Sequence, residues 1–141
     1  MKKIIAIQIL TLIISLKCSF ANAQPPAGTG AYLQTIVNNK AQYIGQPFSV
    51  LLNDLQMPIK FFSPFAASKR SKETSTAFAF YFPQNANEIN KIYPCLEIYW
   101  QTDLNAYNSM QLYTQYRSVG WNSVIASSYS SGIIADIKLT N

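Results

Sequence analysis

The chain has 141 residues, no histidine and two cysteines, with a formal net charge of +5. The absence of histidine excludes Ser-His and Cys-His catalysis and removes the most common zinc ligand. The cysteines and acids are scattered along the sequence rather than grouped at metal-ligand spacing, so we expect neither a metal nor another cofactor. The length is sufficient for one domain with a hydrophobic core and too short for two ordinary domains.

Residues 1–23 have the features of a secretory signal peptide. A basic start with two lysines precedes an apolar stretch over residues 4–16, which is shorter than the roughly 20 residues needed to span a membrane. A small-x-small pattern ends at Ala23 and predicts cleavage between Ala23 and Gln24. We therefore expect an exported chain, periplasmic or extracellular, with no membrane span after the signal peptide is removed.

Cys18 offers an alternative, because a lipoprotein signal would place a lipid on this cysteine. Lys17 argues against lipidation, since a small residue is expected at its position. Cleavage after Ala23 removes Cys18 and three lysines, which leaves Cys95 as the remaining cysteine and eight basic against six acidic residues, a formal charge of +2. An internal disulfide is then excluded, and burial of Cys95 is expected because cysteine is among the most often buried residue types. The low charge predicts no nucleic-acid partner.

The remaining sequence divides into a short leader and one domain. Residues 24–30 are rich in proline and glycine and are expected to form a flexible leader, whereas residues 31–141 form the predicted domain. Apolar residues at helical spacing predict a first helix over residues 31–44. A second helix is predicted from Pro47, which suits a first helical position, until Pro58 stops it.

Strand patterns dominate the rest of the domain. Four strands are predicted from alternating or β-branched and aromatic residues: 59–62, 74–82, 95–101 and 133–139. Residues 103–131 fit both helical and strand spacing, with a short helix indicated over 121–129. Short connections imply antiparallel neighbours. The sequence thus predicts an α+β fold with an N-terminal helix pair packed on one face of a mostly antiparallel sheet of about four strands.

The sheet face opposite the helices is the predicted binding surface. If Phe80 and Trp100 point into the core, alternation places Tyr81 and Tyr99 side by side on the opposite face. Tyrosine supplies a large contact area with a polar tip, which is typical of protein interfaces. An ordinary solvated sheet face has a similar composition and is the alternative interpretation. The candidate partner-binding residues are Phe62, Tyr81, Glu97, Tyr99 and Gln101.

A basic loop formed by Lys69, Arg70 and Lys72 is a second candidate contact surface. Three cations in one connection attract an anionic glycan, a lipid or an acidic protein only modestly at physiological salt. A run of this kind is more typical of a solvated loop.

A catalytic function would depend on the carboxylates Glu97 and Asp103, the acid pair of a possible glycan-cleaving site. They are six residues apart, about 20 Å along an extended strand, so a pair requires the chain to turn at Thr102. We assign no catalytic residue. The sequence predicts an exported, non-enzymatic module that binds a protein or another envelope component through the tyrosine-containing sheet face. The alternative is a small cell-wall-directed hydrolase that uses carboxylates.

Overall fold

The computed structural model describes residues 25–66, 71–83 and 93–140. The predicted signal peptide and its cleavage site lie outside these ranges, as do Lys69 and Arg70. None of the helices within the described ranges is long and apolar enough to cross a membrane. In chain order the elements are α1 (Thr29–Asn38), a 3₁₀ turn (Lys40–Gln42), α2 (Phe48–Asp54), β1 (Phe61–Ala66), β2 (Lys72–Ala79), β3 (Cys95–Asn105), α3 (Ala106–Tyr116), α4 (Ser123–Tyr129) and β4 (Ile134–Thr140).

The four strands form one sheet in the order β1-β2-β3-β4, and every neighbouring pair is antiparallel. This sheet and the helices confirm the predicted α+β class, with four strands among the residues that the structure describes. Sequential strands are neighbours because short connections favour antiparallel pairing.

The first two helices bury residues at helical spacing, Leu33 and Ile36 in α1 and Phe48 and Leu51 in α2. Helix α1 is shorter at its C-terminus than the spacing predicts, because the chain tightens into the 3₁₀ turn. The Asn39 N–H is shared between the carbonyls of Thr35, at 3.1 Å, and Ile36, at 3.2 Å. At its other end α1 includes residues 29 and 30, which were assigned to the leader.

The segment between the 3₁₀ turn and α2 is hydrogen bonded to β4. The Gly45 N–H donates to the Ile134 carbonyl at 2.8 Å, and the Ile134 N–H donates to the Gln46 carbonyl at 3.0 Å. Gly45 has a φ of 78°, a conformation that glycine adopts without steric cost. These bonds hold the start of α2 at the edge of the sheet.

The ambiguous segment 103–131 contains the end of β3 and two capped helices. The Asn105 side chain accepts hydrogen bonds from the second and third residues of α3, and Asn122 does the same for α4. Both asparagines are strong N-cap residues, and they mark the helix starts more clearly than the apolar spacing does. The short helix predicted over 121–129 therefore starts at Ser123.

The main core is an aromatic cluster on one face of the sheet. Phe78 of β2 is its centre, with ring centroids 4.7 Å from Phe48, 5.4 Å from Trp121 and 5.7 Å from Tyr129. Leu96, Ile98 and Trp100 of β3 lie in the same core, as the alternation predicts. A smaller group of buried residues, here called the second-face cluster, consists of Phe61, Ala77, Ala79, Tyr81 and Cys95.

The last strand departs from simple alternation. The sequence predicts Ala135 and Ile137 on one face, but Ile134 and Ile137 are buried in the core while Ala135 is exposed. The cause is a bulge: Tyr99 pairs with Asp136 and Trp100 pairs with Ile134, which leaves Ala135 unpaired. An extra residue of this kind shifts the following side chains to the other face.

At each edge of the sheet, one backbone N–H that could pair with a further strand is either absent or already hydrogen bonded. β1 begins two residues later than predicted and continues through Pro64, which is tolerated because β1 is an edge strand. In β4 the Ile137 N–H donates to Asp136 Oδ1 at 2.9 Å. The same carboxylate oxygen accepts from Lys40, which lowers the pKa of Asp136.

Cys95 is buried in the second-face cluster, which confirms the expected burial. We therefore expect its thiol to react slowly with an aromatic disulfide reagent in the native protein and rapidly after denaturation, because access limits the attack. Fast labelling of the native chain, measured spectrophotometrically against a denatured sample, would contradict this burial.

Candidate functional site

The two predicted binding tyrosines lie in different environments. Tyr81 is 2% exposed and its ring packs 4.9 Å from that of Tyr93. Tyr99 pairs with Ser75 of β2, which precedes Tyr81 by six residues, roughly 20 Å of extended chain. Tyr81 itself lies just beyond the end of β2. The predicted side-by-side tyrosine patch is therefore not formed.

Phe62 was predicted on the tyrosine face, and this prediction is wrong. It is 1% exposed and lies in the main core, where its ring contacts Tyr113, Trp121 and Tyr129. The reason is the register, since Phe62 pairs with Phe78 and cross-strand partners share a face. The adjacent Phe61 occupies the second face instead.

The other predicted partner-binding residues remain at least partly accessible. Ser75 donates a hydrogen bond to Glu97 Oε1 at 2.7 Å, and the ammonium of Lys138 lies 4.3 Å from the centre of the Tyr99 ring. Gln101 is exposed. Glu97 and one face of Tyr99 are thus already engaged by neighbouring side chains.

The predicted acid pair does not converge on one site. Residues 100–103 form an irregular stretch of β3, so Glu97 pairs with Ala77 while Leu104, next to Asp103, pairs with Glu73. These β2 positions are four residues apart, about 13 Å. Asp103 forms a salt bridge with Lys72, with Nζ to Oδ2 at 3.5 Å. Lys72 was predicted to lie in the basic loop, but it is the first residue of β2 and pairs with Asn105 of β3. The two acids contact different groups, which argues against a paired carboxylate mechanism.

A carboxyl group that the sequence did not identify as functional lies at the centre of a buried network. Glu73 is 0% exposed and accepts hydrogen bonds from the hydroxyls of Thr76 and Tyr129, the latter at 3.1 Å. The indole N–H of Trp100 donates to Thr76 Oγ1 at 2.9 Å. Ser109 of α3 lies close enough to influence both the Glu73 carboxyl and the Tyr129 hydroxyl. We call these five residues the Glu73 network.

A bulge in β2 brings Glu73 into this position. Phe65 of β1 pairs with Ser75 and Ala66 pairs with Glu73, so Thr74 is an extra residue. Strict alternation would place Glu73 and Thr76 on opposite faces, but the bulge turns both toward the core. Sequence reasoning assigned Glu73 to the exposed connection before a strand starting at residue 74. No periodic pattern signals a bulge, so this residue was missed.

Burial controls the protonation of the Glu73 network. Desolvation raises the pKa of Glu73, and the hydrogen bonds from Ser109, Thr76 and Tyr129 oppose that rise in part. Burial and the nearby charge of Glu73 raise the pKa of Tyr129 well above its usual value. Within the described ranges, the salt bridges join Lys40 to Asp136 and Lys72 to Asp103, and neither involves Glu73.

A cavity of about 270 Å³ lies beside the network, between α3, α4 and the end of β3. Two residues of the Glu73 network, Ser109 and Tyr129, belong to its wall, whereas Glu73 itself lies behind them. Leu104 and Leu112 add apolar surface. The full lining is Leu104, Asn105, Asn108, Ser109, Leu112, Ser128 and Tyr129.

This cavity has the chemistry of a small binding site. Hydroxyl and amide groups alternate with leucine side chains, as in pockets that orient a ligand through a few polar contacts. Among the residues that the structure describes, no group of three or more His, Cys, Asp or Glu side chains is placed to hold a metal ion. Comparison of the chain with protein-family models, curated proteins and solved structures found no match.

Proposed function

We propose that this chain is an exported, non-enzymatic binding protein whose ligand occupies the cavity between α3 and α4. The observation that carries the proposal is the contact between the cavity wall and the Glu73 network, through Ser109 and Tyr129. A buried carboxyl group without an ionic partner in the described chain has a cost to stability. A ligand-binding role gives a reason for that cost.

The size and lining of the cavity support a small ligand or the terminal group of a larger one. Its volume of about 270 Å³ lies just below the range for small-molecule sites, roughly 300 to 1,000 Å³. Leu104 and Leu112 offer an apolar contact, and Asn108 and Ser128 offer polar groups on exposed parts of the helices. A short amphipathic group matches this combination.

Rigid elements hold the wall in place. Asn105 caps α3 at the cavity, and Tyr129 is the last residue of α4 and packs in the aromatic core. Sites built on helices and strands keep their geometry better than sites built on loops. The cavity therefore supports binding without a large rearrangement.

The export part of the proposal rests on residues 1–23, whose charge and apolar pattern match a signal peptide. The non-enzymatic part rests on the separation of Glu97 from Asp103 and on the position of Glu73 behind the wall. A general acid or base must reach its substrate directly or through one water molecule.

The test is a titration with n-butylammonium and n-butanol, followed by amide shifts in the NMR spectrum of the isotope-labelled chain. We expect at least one probe to shift amides of α3 and α4 that border the cavity. Ser128→Trp should fill the cavity and weaken that binding at least tenfold. Ser127→Trp is the matched control, because Ser127 is an exposed serine on the same helix outside the cavity lining.

Two results would contradict the proposal. One is the absence of saturable shifts near the cavity with both probes. The other is equal binding by the Ser128→Trp and Ser127→Trp variants, each shown to be folded by its spectrum, since this would place the probes elsewhere.

A further inference from the structure

We propose that the cavity between α3 and α4 binds a protonated amine, an ammonium group on a short aliphatic stem. This inference rests on the proposed function and adds the chemical class of the ligand. The sources of such a group are a free small amine or the lysine side chain of a protein partner, which ends in the same four-carbon stem and ammonium.

The first argument is the direction of the hydroxyl hydrogen bonds around the cavity. The Tyr129 hydroxyl donates its proton to Glu73 at 3.1 Å, and the Ser128 hydroxyl donates to the Val124 carbonyl at 3.0 Å. Ser109 lies beside both Glu73 and Tyr129. The Tyr129 and Ser128 oxygens therefore keep lone pairs but no spare protons. An ammonium group is the complementary partner, with three donors and no acceptor.

The second argument is charge. Within the described residues, the hydrogen bonds to the Glu73 carboxyl come from neutral hydroxyls, those of Thr76 and Tyr129. A buried carboxylate is costly unless an opposite charge lies near it. An ammonium against Ser109 and Tyr129 would supply that charge one hydroxyl away. Its arrival would favour ionised Glu73 and so lower the pKa of this residue.

The third argument is the apolar part of the lining. Leu104 and Leu112 flank the hydroxyl-bearing wall. Amine stems of several methylene groups pack along such surfaces while the charged head contacts polar groups. A neutral alcohol of the same length would gain the stem contact but lack both the charge and the additional donors.

The experiment compares n-butylammonium chloride with n-butanol on the wild-type chain at about pH 8, where the amine is protonated. We expect the ammonium to bind at least tenfold more tightly, with shifts at the cavity amides. Equal binding of the two probes would overturn the ammonium inference and leave the cavity proposal standing. If neither probe shifts the cavity amides, the proposed function itself is wrong.

Two variants test whether the Glu73 carboxyl causes the preference for n-butylammonium over n-butanol. Glu73→Gln should reduce the ratio of the two affinities to about one, whereas Glu97→Gln, a carboxylate outside the cavity, should leave it unchanged. A preference retained in folded Glu73→Gln would overturn the assigned role of Glu73. If that variant does not fold, the wild-type comparison of the two probes still decides the ligand class.

Two further probes distinguish the sources of the ammonium. Nα-acetyl-lysine methylamide presents the amine as a lysine side chain, and its Nε-acetylated form removes the charge. Binding by the lysine compound, lost on Nε-acetylation, would assign the site to a protein partner. Binding of n-butylammonium with exclusion of the lysine compound would assign it to a free small amine. Both results support the ammonium class.

Discussion

Replacing Gly120 by alanine should lower the free energy of unfolding by about 3 kcal/mol or more. Gly120 has a φ of 83°, and a Cβ atom placed there would lie 2.4 Å from the carbonyl oxygen of Lys60 and 2.5 Å from the Phe82 ring. That carbonyl accepts a hydrogen bond from the Trp121 N–H at 2.9 Å. The left-handed conformation costs about 1–2 kcal/mol for a residue with a Cβ, and the contact with backbone adds to this.

Gly45→Ala is the matched control for this steric effect. Gly45 has nearly the same backbone conformation, with φ at 78°, but no other atom lies within 4 Å of an added Cβ. We expect Gly45→Ala to lower the free energy of unfolding only by the cost of the left-handed backbone conformation, about 1–2 kcal/mol. Urea denaturation of both variants measures the difference. Equal losses would mean that the segment at Gly120 moves away from Lys60 without cost.

The second large effect concerns Glu73 and pH. Burial raises the pKa of Glu73 above its ordinary value of 4.5. Above that pH the unfolded chain releases the proton while the folded chain retains it. The stabilising contribution of this group is therefore complete below pH 4.5 and is lost as the pH rises through the folded-state pKa. For one proton, the free energy of unfolding falls by at most about 1.4 kcal/mol per pH unit.

Glu73→Gln should abolish the fall in the free energy of unfolding that Glu73 causes as the pH rises. The amide keeps the shape of the side chain without the charge. The free energy of unfolding of the variant, relative to wild type, should rise with pH above 4.5. Glu97→Gln is the control for replacing a carboxyl group by an amide elsewhere on the sheet. Urea denaturation across the pH range measures all three proteins. A pH profile of Glu73→Gln parallel to that of wild type would show that Glu73 ionises equally easily in both states.

The fold was predictable wherever alternation was regular. In β3 the residues Leu96, Ile98 and Trp100 are buried in the core, as expected for every second position of a half-buried strand. The first strand shows where prediction from alternation fails. Its two adjacent phenylalanines do not indicate which of them faces the core. Only pairing with β2 places Phe62 in the core and Phe61 on the second face.

The candidate site was not predictable for a related reason. Its central residue, Glu73, reaches the core through the bulge at Thr74, and a bulge has no periodic signature. Helix α3 was ambiguous because Tyr107 and Met110 are exposed, so the apolar spacing did not correspond to a buried stripe. The N-cap at Asn105 was the more reliable signal.

The two edges of the sheet bear on how this chain behaves at high concentration. Pro64 in β1 has no N–H to offer, and the Ile137 N–H in β4 is already bonded to Asp136. A second copy that tried to extend the sheet would meet an incomplete hydrogen-bond ladder at either edge. Fibril growth by strand addition is thereby disfavoured at both ends of the sheet.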